Sequence, residues 1–158
     1  MKASLLTSLA SLATVSMAQQ LCDQFAYHEA NGYYFNNNRW GQDSGSGEQC
    51  LTVGNTAGGS VSWHVDWTWS GAENSVKSYP YSGRTLTPRL VSEIGGLPSS
   101  VDWGYSGGNI RANVAYDLFT AADPNHETSS GDFELMIWYV AKRRPRTRPR
   151  SRRWAADI

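Results

Sequence analysis

The chain has 158 residues, 40% hydrophobic and 12% aromatic, enough for one cored domain, and its 18% charged content is too low for a disordered polyelectrolyte. The formal net charge of zero hides a split, because residues 19–141 hold five basic against thirteen acidic side chains while 142–153 hold eight basic and none acidic. The acidic part argues against nucleic acid as a natural ligand, and no apolar stretch after the first 18 residues is long enough to span a bilayer.

Taken in chain order, Met1-Lys2 followed by Leu5, Leu6, Leu9, Leu12 and Val15 reads as a secretory signal over 1–18. Ser16-Met17-Ala18 puts small residues where a signal peptidase reads them, so the cut is expected after Ala18 and the mature protein outside the cell. Cys22 and Cys50 are the only cysteines, and an even count in an oxidising compartment predicts one disulfide. Closing that loop would stabilise the fold by about 3 kcal/mol or somewhat more. His28, His64 and His126 are scattered with no ligand spacing, so no metal and no cofactor is expected. There is no N-x-S/T sequon.

Trp40, within Asn36-Asn37-Asn38-Arg39-Trp40-Gly41, has polar surroundings. An exposed indole there could stack on a sugar ring, or it could cap the core beside the disulfide. Further on, Val61, Trp63, Val65, Trp67 and Trp69 alternate with Ser62, His64, Asp66 and Thr68, the period of two of a strand. The same alternation runs through 110–119 and 132–139. Turn-rich pieces separate these segments at 41–47, 55–60, 95–100 and 106–109, and nothing repeats at 3.6 residues. Many short strands at such spacing predict an all-β sandwich or barrel with antiparallel sheets over 19–141.

In 132–139 one face, Phe133, Leu135, Ile137 and Tyr139, reads as core, and the other carries Glu134, Met136 and Trp138. In 110–118 the corresponding face is Arg111, Asn113, Ala115 and Asp117. If the two strands are neighbours, Asp117 can approach Glu134, and two close carboxyls raise at least one pKa, as in many reaction centres. A Glu pointing from a strand into solvent can also be no more than a solubilising residue.

These residues resemble glycoside hydrolase family 12, the small fungal and bacterial endo-β-1,4-glucanases. The resemblance covers nearly all of 21–140. It runs through Leu21-Cys22-Asp23-Gln24, Asn38-Arg39-Trp40-Gly41, Ser62-Trp63-His64-Val65-Asp66-Trp67, Val76-Lys77-Ser78-Tyr79 and Trp103-Gly104-Tyr105-Ser106-Gly107. The longest pieces are residues 109–119, with Ala112-Asn113-Val114-Ala115-Tyr116-Asp117, and Glu134-Leu135-Met136-Ile137-Trp138. It implies a β-jelly roll of two antiparallel sheets with a concave cleft for a β-1,4-glucan chain. It also implies Glu134 as nucleophile of a retaining mechanism, Asp117 as the carboxyl that orients it, and Asn38 and Trp40 as a sugar platform. Asn113, Met136 and Trp138 would line the same cleft, Cys22–Cys50 would be the family's disulfide, and the enzyme would act as a monomer without nucleic acid or membrane partners.

The resemblance stops where the basic tail, 142–158, begins. Retaining hydrolysis needs a second carboxyl about 5–5.5 Å from the nucleophile, and the family's acid/base segment of Gly-Thr-Glu-Pro-Phe type has no counterpart here. The tail is expected to be disordered sequence or the product of a wrong gene model, and the chain to be a truncated, inactive family member. Without the later strands, open edges and an uncovered apolar face predict poor folding. A xyloglucan-specific endoglucanase and a non-catalytic glucan-binding protein remain the alternatives.

Overall fold

The structure, a computed structural model, describes residues 18–108, 110–126, 131–140 and 152–156. The signal segment, apart from Ala18, and most of the basic tail lie outside the described residues. The chain divides after Leu86 into two units, taken here in turn.

The first unit holds β1 (Gln19–Leu21), β2 (Tyr27–Ala30), β3 (Tyr33–Asn36), β4 (Ser46–Val53), β5 (Trp63–Ser70) and β6 (Tyr81–Gly83). They form two antiparallel sheets, ordered β1-β4-β5 and β2-β3-β6. The β2–β3 hairpin turns through Asn31-Gly32, both with positive φ (52° and 75°). That is the pairing a two-residue hairpin loop favours, because its twist matches the strands on either side. In β5 the alternation read from the sequence holds, with Trp63, Val65, Trp67 and Trp69 half-buried between exposed neighbours.

The core gathers Leu21, Phe35, Leu51 and Val53, against which Ala30, Val61, Trp63 and Val65 pack. Phe35 comes from β3 and the others from β1 and β4, so the two sheets stack face to face, as in a sandwich. Cys22 and Cys50 are joined in a disulfide that ties the end of β1 to β4 across 28 residues. Closing a loop of that length contributes about 3–4 kcal/mol.

The second unit holds β7 (Ser99–Trp103), β8 (Asn113–Thr120), β9 (Phe133–Val140) and β10 (Arg152–Ala156). β8 pairs with β9 and β7 with β10, both antiparallel. Among the described residues the only helical turns are two short 3-10 pieces, Gln42–Ser44 and Val91–Glu93.

One expectation needs amending. The face of β9 read as core leaves Phe133 68% and Leu135 56% exposed. A strand pair buries an apolar face only when a second layer covers it. Within 142–158 the described residues Arg152–Ala156 form β10, with backbone bonds to β7 along Arg152↔Trp103 through Ala156↔Ser99.

Candidate active site

β8 and β9 run side by side for eight residues each, in the register Asn113↔Val140 to Thr120↔Phe133. Residues directly opposite in such a ladder share a face. Ala115 therefore sits across from Trp138, Asp117 from Met136 and Phe119 from Glu134. The strand pairing brings Asn113, Asp117, Glu134, Met136 and Trp138 onto one face, as the two separate alternations require once the strands are neighbours.

On this face Asp117 and Glu134 are diagonal neighbours, and their carboxyls are hydrogen-bonded to each other. Burial first, then the charge of Glu134 and that hydrogen bond, raise the Asp117 carboxyl from 3.8 to about 6. Asp117 therefore keeps its proton up to about 6, well above the ordinary carboxyl range. The other Asp117 oxygen, Oδ1, is buried with no hydrogen-bond partner among the described residues. The nearby Asp132 is engaged elsewhere, accepting from the Ala122 N–H at 2.7 Å at the turn and lying 4.0 Å from His126.

Asn38 and Trp40 belong to the first unit, on the segment that leaves β3. The backbone there is clamped. Asn38 accepts from the Tyr79 N–H at 2.8 Å and its side-chain amide donates to the Tyr79 carbonyl at 3.0 Å. Arg39 N–H donates to Gln24 O at 2.9 Å, and Gly41 N–H to Lys77 O at 3.0 Å. Between these anchors Trp40 is 56% exposed, so it does not cap the core.

The reading of the sequence passed over Asn37 and Gln49, both fully buried. Asn37 Nδ2 donates to the carbonyls of Asp23 (3.0 Å) and Gln49 (3.1 Å), and Gln49 Nε2 donates to the Asn37 carbonyl (2.7 Å) and to Asn37 Oδ1 (3.0 Å). Gln49 Oε1 in turn accepts from Ser78 Oγ at 2.5 Å and from Trp69 Nε1 at 3.4 Å. This network fixes the root of the Trp40 segment. Its one signal in the sequence is a Gln at an inward position of an alternating strand, two residues before core Leu51.

The family model described as glycosyl hydrolase family 12 matches residues 31–146. The chain belongs to this family. Family relatives include endoglucanase A of Aspergillus kawachii, 46% identical over 138 residues, or 87% of this chain and 57% of that protein. Xyloglucan-specific endo-β-1,4-glucanase A of Emericella nidulans is 42% identical over 137 residues, covering 86% and 56%. Among solved structures, Trichoderma harzianum endoglucanase 3 matches with a TM-score of 0.73 at 47% identity, covering 84% of this chain and 60% of that one. The catalytic domain of Humicola grisea Cel12A, in complex with a soaked thio cellotetraose, matches at 0.71 and 46%, covering 77% and 55%. The chain thus spans a little over half the length of the relatives it matches. Its antiparallel sheets are those of the family 12 β-jelly roll.

Proposed function

We propose that this chain is a secreted endo-β-1,4-glucanase polypeptide that attacks internal β-1,4-glucosidic bonds with retention, and that Glu134 is its nucleophile. The observation that carries the reading is the hydrogen-bonded Asp117–Glu134 pair on a face shared with Met136 and Trp138. A nucleophilic carboxylate must be ionised and aimed. A neighbour that holds the proton and donates it in a hydrogen bond favours both.

Asp117 is an orienting group in this reading and cannot be the acid/base. The two carboxyls of a retaining pair stand about 5–5.5 Å apart, so that a sugar fits between them, whereas Asp117 and Glu134 touch. The proton donor to the leaving sugar is therefore a third carboxyl. In the first unit Asn38 and Trp40 would bind glucan, Trp40 by stacking its exposed indole on a pyranose face, and in the second Asn113, Met136 and Trp138 would bind it on the face that carries Glu134. The leader over 1–18 supports secretion and the disulfide suits that compartment. The enzyme would work as a monomer.

A substrate whose leaving group needs no proton tests Glu134 without the acid/base. With 2,4-dinitrophenyl 2-deoxy-2-fluoro-β-cellobioside, a Glu134 oxygen bonds to the anomeric carbon while the bond to dinitrophenolate breaks and the anion departs. Mass spectrometry should find the fluorocellobiosyl group on the Glu134 peptide, and none in Glu134→Gln. Equal labelling of Glu134→Gln would overturn the assignment. Glucan binding without any label would favour the non-catalytic binder.

A second reading, a xyloglucan-specific endoglucanase, draws on the Emericella nidulans relative and on an Aspergillus aculeatus relative of the same name at 39% identity. Tighter binding of the Glu134→Gln chain to xyloglucan than to barley β-glucan would favour it.

A further inference from the structure

Asn31-Gly32 is the one Asn-Gly pair in the sequence, and it makes the two-residue turn between β2 and β3. Both residues are exposed, and the turn fixes the register that sets Ala30 across from Tyr33. The Asn31 side chain has a second task. Its Nδ2 donates to the Thr56 carbonyl, and beside it Tyr33 Oη donates to the Gly59 carbonyl at 3.3 Å. Thr56 and Gly59 lie on the loop between β4 and β5, closed at its base by Gly54 N–H to Ser62 O and Ser62 N–H to Asn55 O, both at 2.8 Å. One hairpin belongs to the β2-β3-β6 sheet and the other to β1-β4-β5, so these two side-chain bonds tether one sheet to the other.

An asparagine before a glycine carries an electrophile beside a nucleophile. Glycine has no side chain to keep its backbone nitrogen away from the preceding amide. A Cβ at Gly32 would meet nothing within 4 Å, so the turn is open to water. The Gly32 nitrogen loses its proton to water and bonds to Asn31 Cγ. The Cγ–Nδ2 bond breaks, water returns a proton to Nδ2, and ammonia leaves a succinimide. Water then adds to one of the two ring carbonyls and opens the ring to an aspartyl or an isoaspartyl residue. The net change is one water in and one ammonia out, with nothing oxidised or reduced.

The nitrogen that would leave is the one that holds Thr56. Either product replaces this donor with a carboxylate, which repels the Thr56 carbonyl and shares a groove with Glu29. The isoaspartyl product also adds a methylene to the backbone of a turn with no slack. We propose that Asn31 is a self-modification site, which deamidates through a succinimide with Gly32 and thereby unfastens the β2–β3 turn from residues 55–59. The loop gates the reaction. While Thr56 holds Nδ2 the amide stays off the Gly32 nitrogen, and local opening of the loop frees it. The proposal stands apart from the glucan reading.

Incubating the folded chain in water enriched in heavy oxygen, at mildly alkaline pH, leaves one heavy atom at each deamidated site. Mass spectrometry of the digest should find Asn31 labelled ahead of the other asparagines, none of which precedes glycine. Unfolding in urea should speed the labelling, and so should Tyr33→Phe in native buffer, because it removes the bond to Gly59. Asn31→Asp should raise hydrogen exchange at the Asn55 and Ala57 amides, which are bonded within the loop, by about fivefold to tenfold, the effect of losing one ordinary hydrogen bond. Labelling of Asn31 no faster than of Asn74, or at one rate in native buffer and in urea, overturns the proposal. Unchanged exchange at Asn55 and Ala57 overturns the release of the loop. If Tyr33→Phe does not fold, the comparison with urea decides, since it needs no variant.

Discussion

Asp117 and Glu134 share a hydrogen bond although neither is the other's partner in the ladder: Asp117 stands opposite Met136, and Glu134 opposite Phe119. The diagonal places the two carboxyls in contact, while burial falls mainly on one of them. That burial, more than the proximity of Glu134, raises the Asp117 carboxyl.

The Asp117 carboxyl should therefore titrate at about 6, seen by carboxylate infrared or carbon NMR, and fall back toward 3.8 in Glu134→Gln. Its folded value lies above the unfolded one, so folding takes up a proton between them. This contribution to stability is complete below 3.8 and is lost as pH rises through about 6. Asp117→Asn should flatten the dependence of the unfolding midpoint on pH across that window. A midpoint that rises with pH there would contradict the assignment.

Gly83→Ala tests the contact with Tyr34. The added methyl would stand within 2.3 Å of the ring, which must swing aside. The expected cost is about 1–3 kcal/mol, the range for overpacking. In a Tyr34→Thr background the same change should cost much less, the coupling expected of touching residues. Urea unfolding of the four proteins in the cycle measures it, and equal costs in both backgrounds would mean that the ring does not lie over Gly83.

Asn37→Leu should destabilise the first unit strongly. It leaves the Asp23 and Gln49 carbonyls and Gln49 Nε2 short of partners, at about 1–3 kcal/mol per orphaned group. Joining Asn37→Leu with Gln49→Leu should cost less than the two single changes added together, because the partners leave together. Denaturant midpoints monitored by Trp69 fluorescence check this.

Alternation made β5, β8 and β9 legible in the sequence, since side chains on a strand must alternate between two faces. The Asp117–Glu134 encounter was legible only as a condition, because periodicity fixes a face and not a neighbour. The short strands β1, β2, β3 and β6 hold three or four residues each, too few for a period to register. The exposure of Phe133 and Leu135 was illegible for another reason: a strand's pattern records which face wants a cover, not whether one lies on it. Asn37 and Gln49 were passed over because a polar residue reads as surface until its partners are known.

The clamped backbone on either side of Trp40 has a consequence for capture. Fixing a residue's backbone costs roughly 1–2 kcal/mol in lost freedom, and around Trp40 the bonds from Tyr79, Gln24 and Lys77 settle that loss when the chain folds. A sugar arriving at the indole then has only the side-chain torsions left to still. A ring on a loose loop would have to be ordered anew at every encounter, and would give up much of its contact energy in doing so.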